Sequence, residues 1–214
     1  KPGKYELKSA SGKTRSIEIA PLPVAEELAG PWKVAFPPNS GAPENITLEK
    51  LASLSENAEP GVKYFSGTAS YATVFNVAPE MLAKDRRLYL DLGNVEVMAK
   101  VNVNGKDLGS FWKRPFVVDV TEAAKPGENA LEVDVTNLWV NRLIGDEQLP
   151  EDSERNPDGT LKQWPQWLNE GKPSPTGRIT FTTWRLWKKD SALQPSGLIG
   201  PVTLHTVQMA GIEP

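Results

Sequence analysis

Val95-Glu96-Val97-Met98-Ala99-Lys100-Val101-Asn102-Val103-Asn104-Gly105-Lys106 is the stretch that decides the fold class. Apolar residues at 95, 97, 99, 101 and 103 alternate with Glu96, Met98, Lys100 and Asn102. A period of two puts one set on a buried sheet face and the other toward solvent or a second layer. Asn104-Gly105 closes the run. Both residues tolerate positive φ, so the pair reads as a hairpin turn into a short strand.

The same rhythm spreads in both directions. Upstream, Leu88, Leu90 and Leu92 alternate with Tyr89 and Asp91, and Tyr71, Thr73, Phe75 and Val77 repeat the pattern. Downstream come Phe116, Val118 and Val120, then Leu131, Val133 and Val135, then Ile179 with Phe181 and Val202 with Leu204. Pro126-Gly127 separates two of these strands, and Asp158-Gly159 sits in a polar loop. The expected fold is all-β, an antiparallel β-sandwich with one or two short helices. Thr47 is placed to cap a helix over 47–54, with Leu48, Leu51 and Leu54 on its apolar side. Residues 121–124 suit a single helical turn.

Two stretches interrupt the strands. Residues 37–61 are rich in proline, asparagine, glycine and acid. Residues 143–175 form a long polar insertion that carries Asp146, Glu147, Glu151, Asp152, Trp164 and Trp167. Loops longer than about 12–15 residues are uncommon in compact domains and are often functional. The first 25 residues hold two short alternating segments, 5–8 and 16–19. They read as edge strands or as a lead-in within residues 1–27. A single domain over 1–214 is expected, since sandwiches of this length commonly fold as one.

Composition narrows the function classes. Net charge is −3, from 27 acidic and 24 basic residues, with no block of one sign. A nucleic-acid partner would call for a basic patch or stripe, so none is expected. The absence of cysteine excludes thiol catalysis, disulfides and zinc–thiolate sites. No apolar stretch approaches the ~20 residues of a membrane helix, so no membrane partner is expected. No secretory leader is read, and the chain opens on Lys1, as a mature or excised fragment would.

Catalytic constellations are thin. His205 is the single histidine, on the outward register of a strand, and no G-x-S-x-G elbow accompanies it. The glycines form neither a P-loop nor a dinucleotide fingerprint. Two carboxylates suffice for glycoside hydrolysis, and Asp146, Glu147, Glu151 and Asp152 crowd one loop. The bland reading is that they are solvated.

Tryptophan gives the most specific signal. Of seven, Trp139, Trp164, Trp167, Trp184 and Trp187 lie in or beside loops of the second half. They are interleaved with Asn141, Arg142, Asp146, Arg185 and Lys188. Aromatic faces stack on the C–H faces of sugars while amide, carboxylate and guanidinium groups fix hydroxyls, the mixed lining of a small-ligand site. The competing reading is that the indoles plug the ends of the sandwich. At least two of the seven are expected to be structural.

Most of the chain resembles a known family. Tyr64-Phe65-Ser66-Gly67-Thr68-Ala69-Ser70-Tyr71 opens the resemblance, followed by Asp91-Leu92-Gly93 and Ala99-Lys100-Val101-Asn102-Val103-Asn104-Gly105-Lys106. Next come Gly109, Trp112, Pro115-Phe116, Val118-Asp119-Val120-Thr121, Gly127, Asn129 and Val135-Thr136-Asn137, and Ser196-Gly197-Leu198-Ile199-Gly200-Pro201-Val202 closes it. In this order they are similar to the sugar-binding, galactose-binding-like jelly roll of family 2 glycoside hydrolases. Gly30-Pro31-Trp32, Asn141-Arg142-Leu143-Ile144-Gly145-Asp146-Glu147-Gln148-Leu149-Pro150 and Thr182-x-Trp184 resemble more closely the C-terminal β-sandwich of family 106 bacterial α-L-rhamnosidases.

The resemblance implies a module without catalytic residues of its own, beside a catalytic barrel that degrades plant cell-wall polysaccharide. It further implies a secreted or periplasmic location. The expected carbohydrate-binding residues are Trp164, Trp167, Trp184, Trp187, Asn141, Arg142, Asp146 and Lys188. Expected partners are a polysaccharide or oligosaccharide and the catalytic domain of a parent glycoside hydrolase. The alternative is a structural domain that docks on that barrel and lends loop residues, such as Asn141, Arg142, Asp146 and the 184–188 turn, to its active site. Jelly rolls of this kind often carry structural calcium, but no loop shows a diagnostic spacing and no ligands are assigned.

Overall fold

Alternation along the strands becomes two packed sheets in the computed structural model, which describes residues 2–209; the outermost residues of the expected 1–214 unit lie outside it. In chain order the strands are β1 (Gly3–Lys8), β2 (Thr14–Ile19), β3 (Glu26–Glu27), β4 (Trp32–Ala35), β5 (Asn45–Leu48), β6 (Thr68–Val77) and β7 (Arg86–Asp91). They continue with β8 (Asn94–Glu96), β9 (Met98–Val103), β10 (Lys106–Phe111), β11 (Val117–Asp119), β12 (Gly127–Thr136), β13 (Gly197–Gly200) and β14 (Thr203–Gln208). Three short helices are α1 (Pro60–Lys63), α2 (Val140–Asp146) and α3 (Gln166–Asn169).

Six strands in the order β10-β9-β12-β6-β4-β5 form one antiparallel sheet, and β11-β7-β14-β3 form the other. Tyr71, Phe75, Val101, Val103, Leu131 and Val133 project from the first sheet onto Leu88, Leu90, Val118 and Leu204 of the second, and all are buried. Full burial of a large aliphatic or aromatic side chain is worth about 1.5–3 kcal/mol. A continuous core of this kind therefore supplies the main stabilisation. The all-β sandwich stands as expected.

The turns follow their chemistry. Asn104 and Gly105 take φ of 53° and 82° between β9 and β10, as a two-residue hairpin with both central residues left-handed requires. The Asn104 side chain also donates to Ala123 O at 2.8 Å, tying the turn to the single helical turn after β11. Gly197, at the start of β13, has φ of 90°. A Cβ there would overlap the Tyr71 hydroxyl and lie 3.0 Å from Leu54 Cγ. Gly197→Ala is expected to destabilise the domain by about 1–3 kcal/mol through overpacking, read as a lower urea midpoint; an unchanged midpoint would mean that the contact relaxes freely.

Three elements differ from the sequence expectation. Residues 47–54 are not a helix: Asn45–Leu48 is β5, where Thr47 pairs with Lys33 and Leu48 with Trp32. Cross-strand pairing beside fully buried Trp32 outweighs the helical spacing of the leucines, and only Leu54–Glu56 makes a tight turn. The short helix falls later, at α1, where Pro60 occupies the first turn and the Glu59 side chain accepts from Gly61 N. Second, the run from Val95 to Val103 is divided. β8 pairs with β13, β9 pairs with β10 and β12, and Val97 between them is exposed rather than inward. Third, residues 179–183 are irregular instead of a strand, for a reason given by Asp146 below.

The segments at 5–8 and 16–19 pair with each other as the β1–β2 hairpin, Tyr5 opposite Ile17, and form their own two-stranded sheet. Among the described residues no helix is long and apolar enough to cross a membrane.

Candidate functional site

After β12 the chain does not enter a loop directly. It turns into α2, and the three polar residues expected to contact ligand there face inward. Asn141, Arg142 and Asp146 are all buried. Asn141 is bonded in both directions to the backbone of Gln194, donating at 2.7 Å and accepting at 2.8 Å. Asp146 Oδ2 accepts from the backbone N–H groups of Ile179 and Thr180, at 3.1 and 2.7 Å, and from the Thr180 hydroxyl at 2.6 Å. The carboxylate thus satisfies backbone donors that a sheet neighbour would otherwise take, which is why 179–183 need not be a strand. Arg142 Nε pairs with Asp146 Oδ1 at 3.3 Å, and its guanidinium lies over the Tyr64 ring at 6.0 Å. Burial pushes the Arg142 pKa down, while the neighbouring Asp146 and Tyr64 push it up.

Around this anchor the long irregular segment folds into a pocket of about 240 Å³. Its walls include Asp146, Glu147, Asp152, Phe181, Trp184 and Trp187, with Arg155, Arg178 and Arg185. The charges are interlocked. Arg178 donates to Glu147 at 2.8 Å and to the carbonyls of Pro150 and Leu149 at 2.8 and 3.0 Å. Arg185 reaches Glu147 at 3.1 Å and also contacts Glu151. Arg155 donates to the carbonyls of Thr182 and Gly159. Asp152 accepts from the hydroxyls of Ser153 and Ser174. The acids read as solvated from the sequence are instead braces that hold 147–187 in shape.

This arrangement bears on chemistry. Glu147 is engaged by two arginines and Glu151 by three, so these two acids are not the pair of uncommitted carboxyls that glycoside hydrolysis uses. For calcium the donor set is a poor fit: these oxygens already serve guanidinium, hydroxyl and N–H groups. Among the described residues no group of three or more His, Cys, Asp or Glu side chains is placed to hold a metal.

The tryptophans divide as a mixed population. Trp32 is wholly buried and donates to Leu28 O. Trp164 and Trp184 are 59% and 56% exposed at the mouth of the long segment. Trp164 and Trp167 both pack on Phe181, with centroids 5.6 and 5.9 Å away, and Trp167 donates to Asp152 O at 2.9 Å. Trp187 is half-buried in the pocket wall. Lys188 is exposed and outside the lining; its backbone N–H donates to Ser191 Oγ. The structure therefore brings Asp146, Trp184 and Trp187 to one pocket, with Trp164 and Trp167 behind its Phe181 wall. Asn141 and Arg142 sit beneath it.

Sequence reasoning passed over Arg155 and Arg178, which carry most of the bracing, and Trp112, which is 73% exposed after β10. Arg155, four residues after Glu151, carries a local signal, whereas Arg178, 27 residues after it, carries none.

Residues 53–170, more than half of the chain, match the family model described as glycosyl hydrolase 2 galactose-binding domain-like. The chain belongs to that family. Its resemblance to the galactose-binding-like domain of glycoside hydrolases holds. Over 206 residues this galactose-binding-like domain is 45% identical to a Formosa agariphila protein named "Putative beta-glucuronidase", covering 96% of this chain and 18% of that protein. The solved rhamnosidase from Novosphingobium sp. PP1Y shares 38% identity with a TM-score of 0.69, over 89% of this chain and 16% of the rhamnosidase. The domain spans less than a fifth of the length of either relative.

Proposed function

We propose that this galactose-binding-like domain is a non-catalytic carbohydrate-binding module that holds a plant cell-wall polysaccharide for an attached glycoside hydrolase. The observation that carries the reading is the exposed Trp184 indole on a pocket whose charges cancel, with exposed Trp164 packed on Phe181 of its wall. Flat aromatic faces beside charges already paired with one another suit uncharged sugar rings. Asn141 and Arg142 beneath the pocket, and Asp146 in its wall, set the shape of this surface through their bonds to the protein itself. A solved rhamnosidase and a protein named "Putative beta-glucuronidase" among the relatives favour a hydrolase parent. The reading is tested by affinity gel electrophoresis against pectic, xylan, mannan and β-glucan polysaccharides. Retention by one class supports it; a folded domain that none retains overturns it.

A second reading has its own observation. Val97, Met98, Trp112, Leu138 and Trp139 are all exposed. Register places them at one sheet end: Met98 pairs with Thr136, Trp112 follows Phe111, the partner of Ala99, and Val97 and Leu138 line one small cavity. A cluster of this kind marks a protein contact, which suits docking onto a catalytic barrel. The two roles use different residues. Trp112→Ala is expected to weaken association with a separately produced catalytic domain while polysaccharide retention is unchanged.

A further inference from the structure

Residues 147–187 take almost no part in the core that stabilises the sandwich. Among the described residues the buried apolar side chains pass from Ile144 to Leu198 with none between, and no residue of the segment packs against the core cluster. Beyond the single turn of α3 the segment holds no helix or strand. Its hydrogen bonds to the rest of the domain end, among the described residues, on α2 and on Lys189. Asp146 accepts from Ile179 and Thr180, Gln148 donates to the carbonyls of Ile144 and Lys189, and the backbone N–H groups of 147–149 donate to carbonyls of α2.

Charge closes the segment where apolar packing does not. The Arg178 side chain, 6% exposed, donates to Glu147 at 2.8 Å, to Glu151 at 3.3 Å and to the carbonyls of Pro150 and Leu149. Those acceptors all lie at the start of the segment, 27 to 31 residues before Arg178, so one guanidinium ties its two ends together. Arg185 adds a second, more exposed tie to the same two glutamates. Past the ties the segment bonds to itself: Leu161 N donates to Thr183 O, Arg185 N to Gly159 O and Trp184 Nε1 to Asp158 O. The position of Trp184 therefore depends on closure of the segment rather than on the sheets.

From this arrangement we infer that residues 147–187 are a strap that opens and closes as one unit while the sandwich stays folded, with Arg178 as its clasp, and that only the closed strap presents the Trp184 pocket. Segments with few buried apolar contacts open locally at a free energy well below that of the whole domain, in contiguous cooperative units. Fixing a long irregular backbone costs conformational entropy. Here the offset comes from charge-assisted hydrogen bonds, which are stronger than neutral ones, and they converge on one side chain. Arg178 is thus a positioning residue for the pocket. The coupling to Trp184 rests on the carbohydrate-binding reading, whereas the separate opening of the strap does not.

The test is native-state hydrogen exchange of the full chain, read peptide by peptide, in wild type, Arg178→Gln and Arg185→Gln. In wild type, peptides from 147–187 are expected to exchange together, at least a hundredfold faster than those of β6, β9 and β12. Arg178→Gln should speed the segment at least tenfold further and leave the strands within twofold of wild type. Arg185→Gln should act in the same direction more weakly, and it carries the test if Arg178→Gln does not fold. Segment and strands exchanging at one common rate, or both accelerated equally by the variants, would show a single cooperative unit and overturn the strap. Affinity gels with the pectic, xylan, mannan and β-glucan polymers read the coupling: retention of Arg178→Gln should fall at least fivefold. Wild-type retention in a variant with an accelerated segment overturns the coupling to Trp184. If no polymer retains the wild-type chain, the coupling falls with the carbohydrate-binding reading, and the exchange rates alone decide the strap.

Discussion

Asp146→Ala is expected to destabilise the domain by about 3–5 kcal/mol, the range found when one partner of a buried ion pair is removed. Three donors lose their acceptor at once: the N–H groups of Ile179 and Thr180 and the Thr180 hydroxyl. The Arg142 guanidinium, 7% exposed as a residue, is left without its carboxylate. Urea unfolding measures the loss. Asp146→Asn should fall between wild type and alanine, because an amide oxygen still accepts from the backbone while the charge is gone. A ligand-contacting Asp146 would behave differently, with binding lost at an unchanged urea midpoint; that outcome would refute its assignment as a brace.

Trp184→Ala should do the reverse. Its indole is more than half exposed and makes one long hydrogen bond, from Nε1 to Asp158 O at 3.2 Å. Stability should change by no more than about 0.5 kcal/mol, as for surface substitutions away from special features. Affinity for the retained polysaccharide should fall thirtyfold or more, about 2 kcal/mol, as for an aromatic hot spot. Calorimetry and a melting curve on the same sample separate the two effects. Trp184→Phe keeps a flat face and is expected to recover part of the affinity. If Trp184→Ala unfolds the domain, the indole is core and its ligand role is lost.

The contrast between these two residues shows how much could be read in advance. Strand positions were legible because period-two alternation is a property of one strand: Leu88, Leu90, Val101, Val103, Leu131 and Val133 all lie inward. Asn104-Gly105 was legible because the turn demands positive φ at both residues. What failed depended on partners distant in sequence. Thr47 reads as a helix cap until Lys33 is set opposite it. Val97 continues an alternation that ends where β8 leaves for β13. Glu147 and Glu151 look solvated until Arg178 and Arg185, about 30 residues later, close on them.

The candidate site shows the same division. Tryptophan content pointed to the long segment, where Trp184 lines the pocket and exposed Trp164 packs on Phe181 of its wall. Nothing local distinguishes a polar side chain that binds ligand from one that braces the fold. Asn141 and Asp146 have the chemistry of sugar ligands, and that same capacity to bond donors and acceptors makes them suitable for holding Gln194 and Thr180. Burial separates the two uses, and burial is set by the fold.

The central claim is that exposed indoles on this galactose-binding-like domain hold a polysaccharide. Affinity gel electrophoresis of the chain and its Trp184→Ala variant, in gels cast with pectic, xylan, mannan or β-glucan polymers, tests it most directly. The predicted result is saturable retardation by one polymer class, lost in Trp184→Ala at an unchanged melting temperature. Equal mobility of the folded wild-type chain in every gel would contradict it.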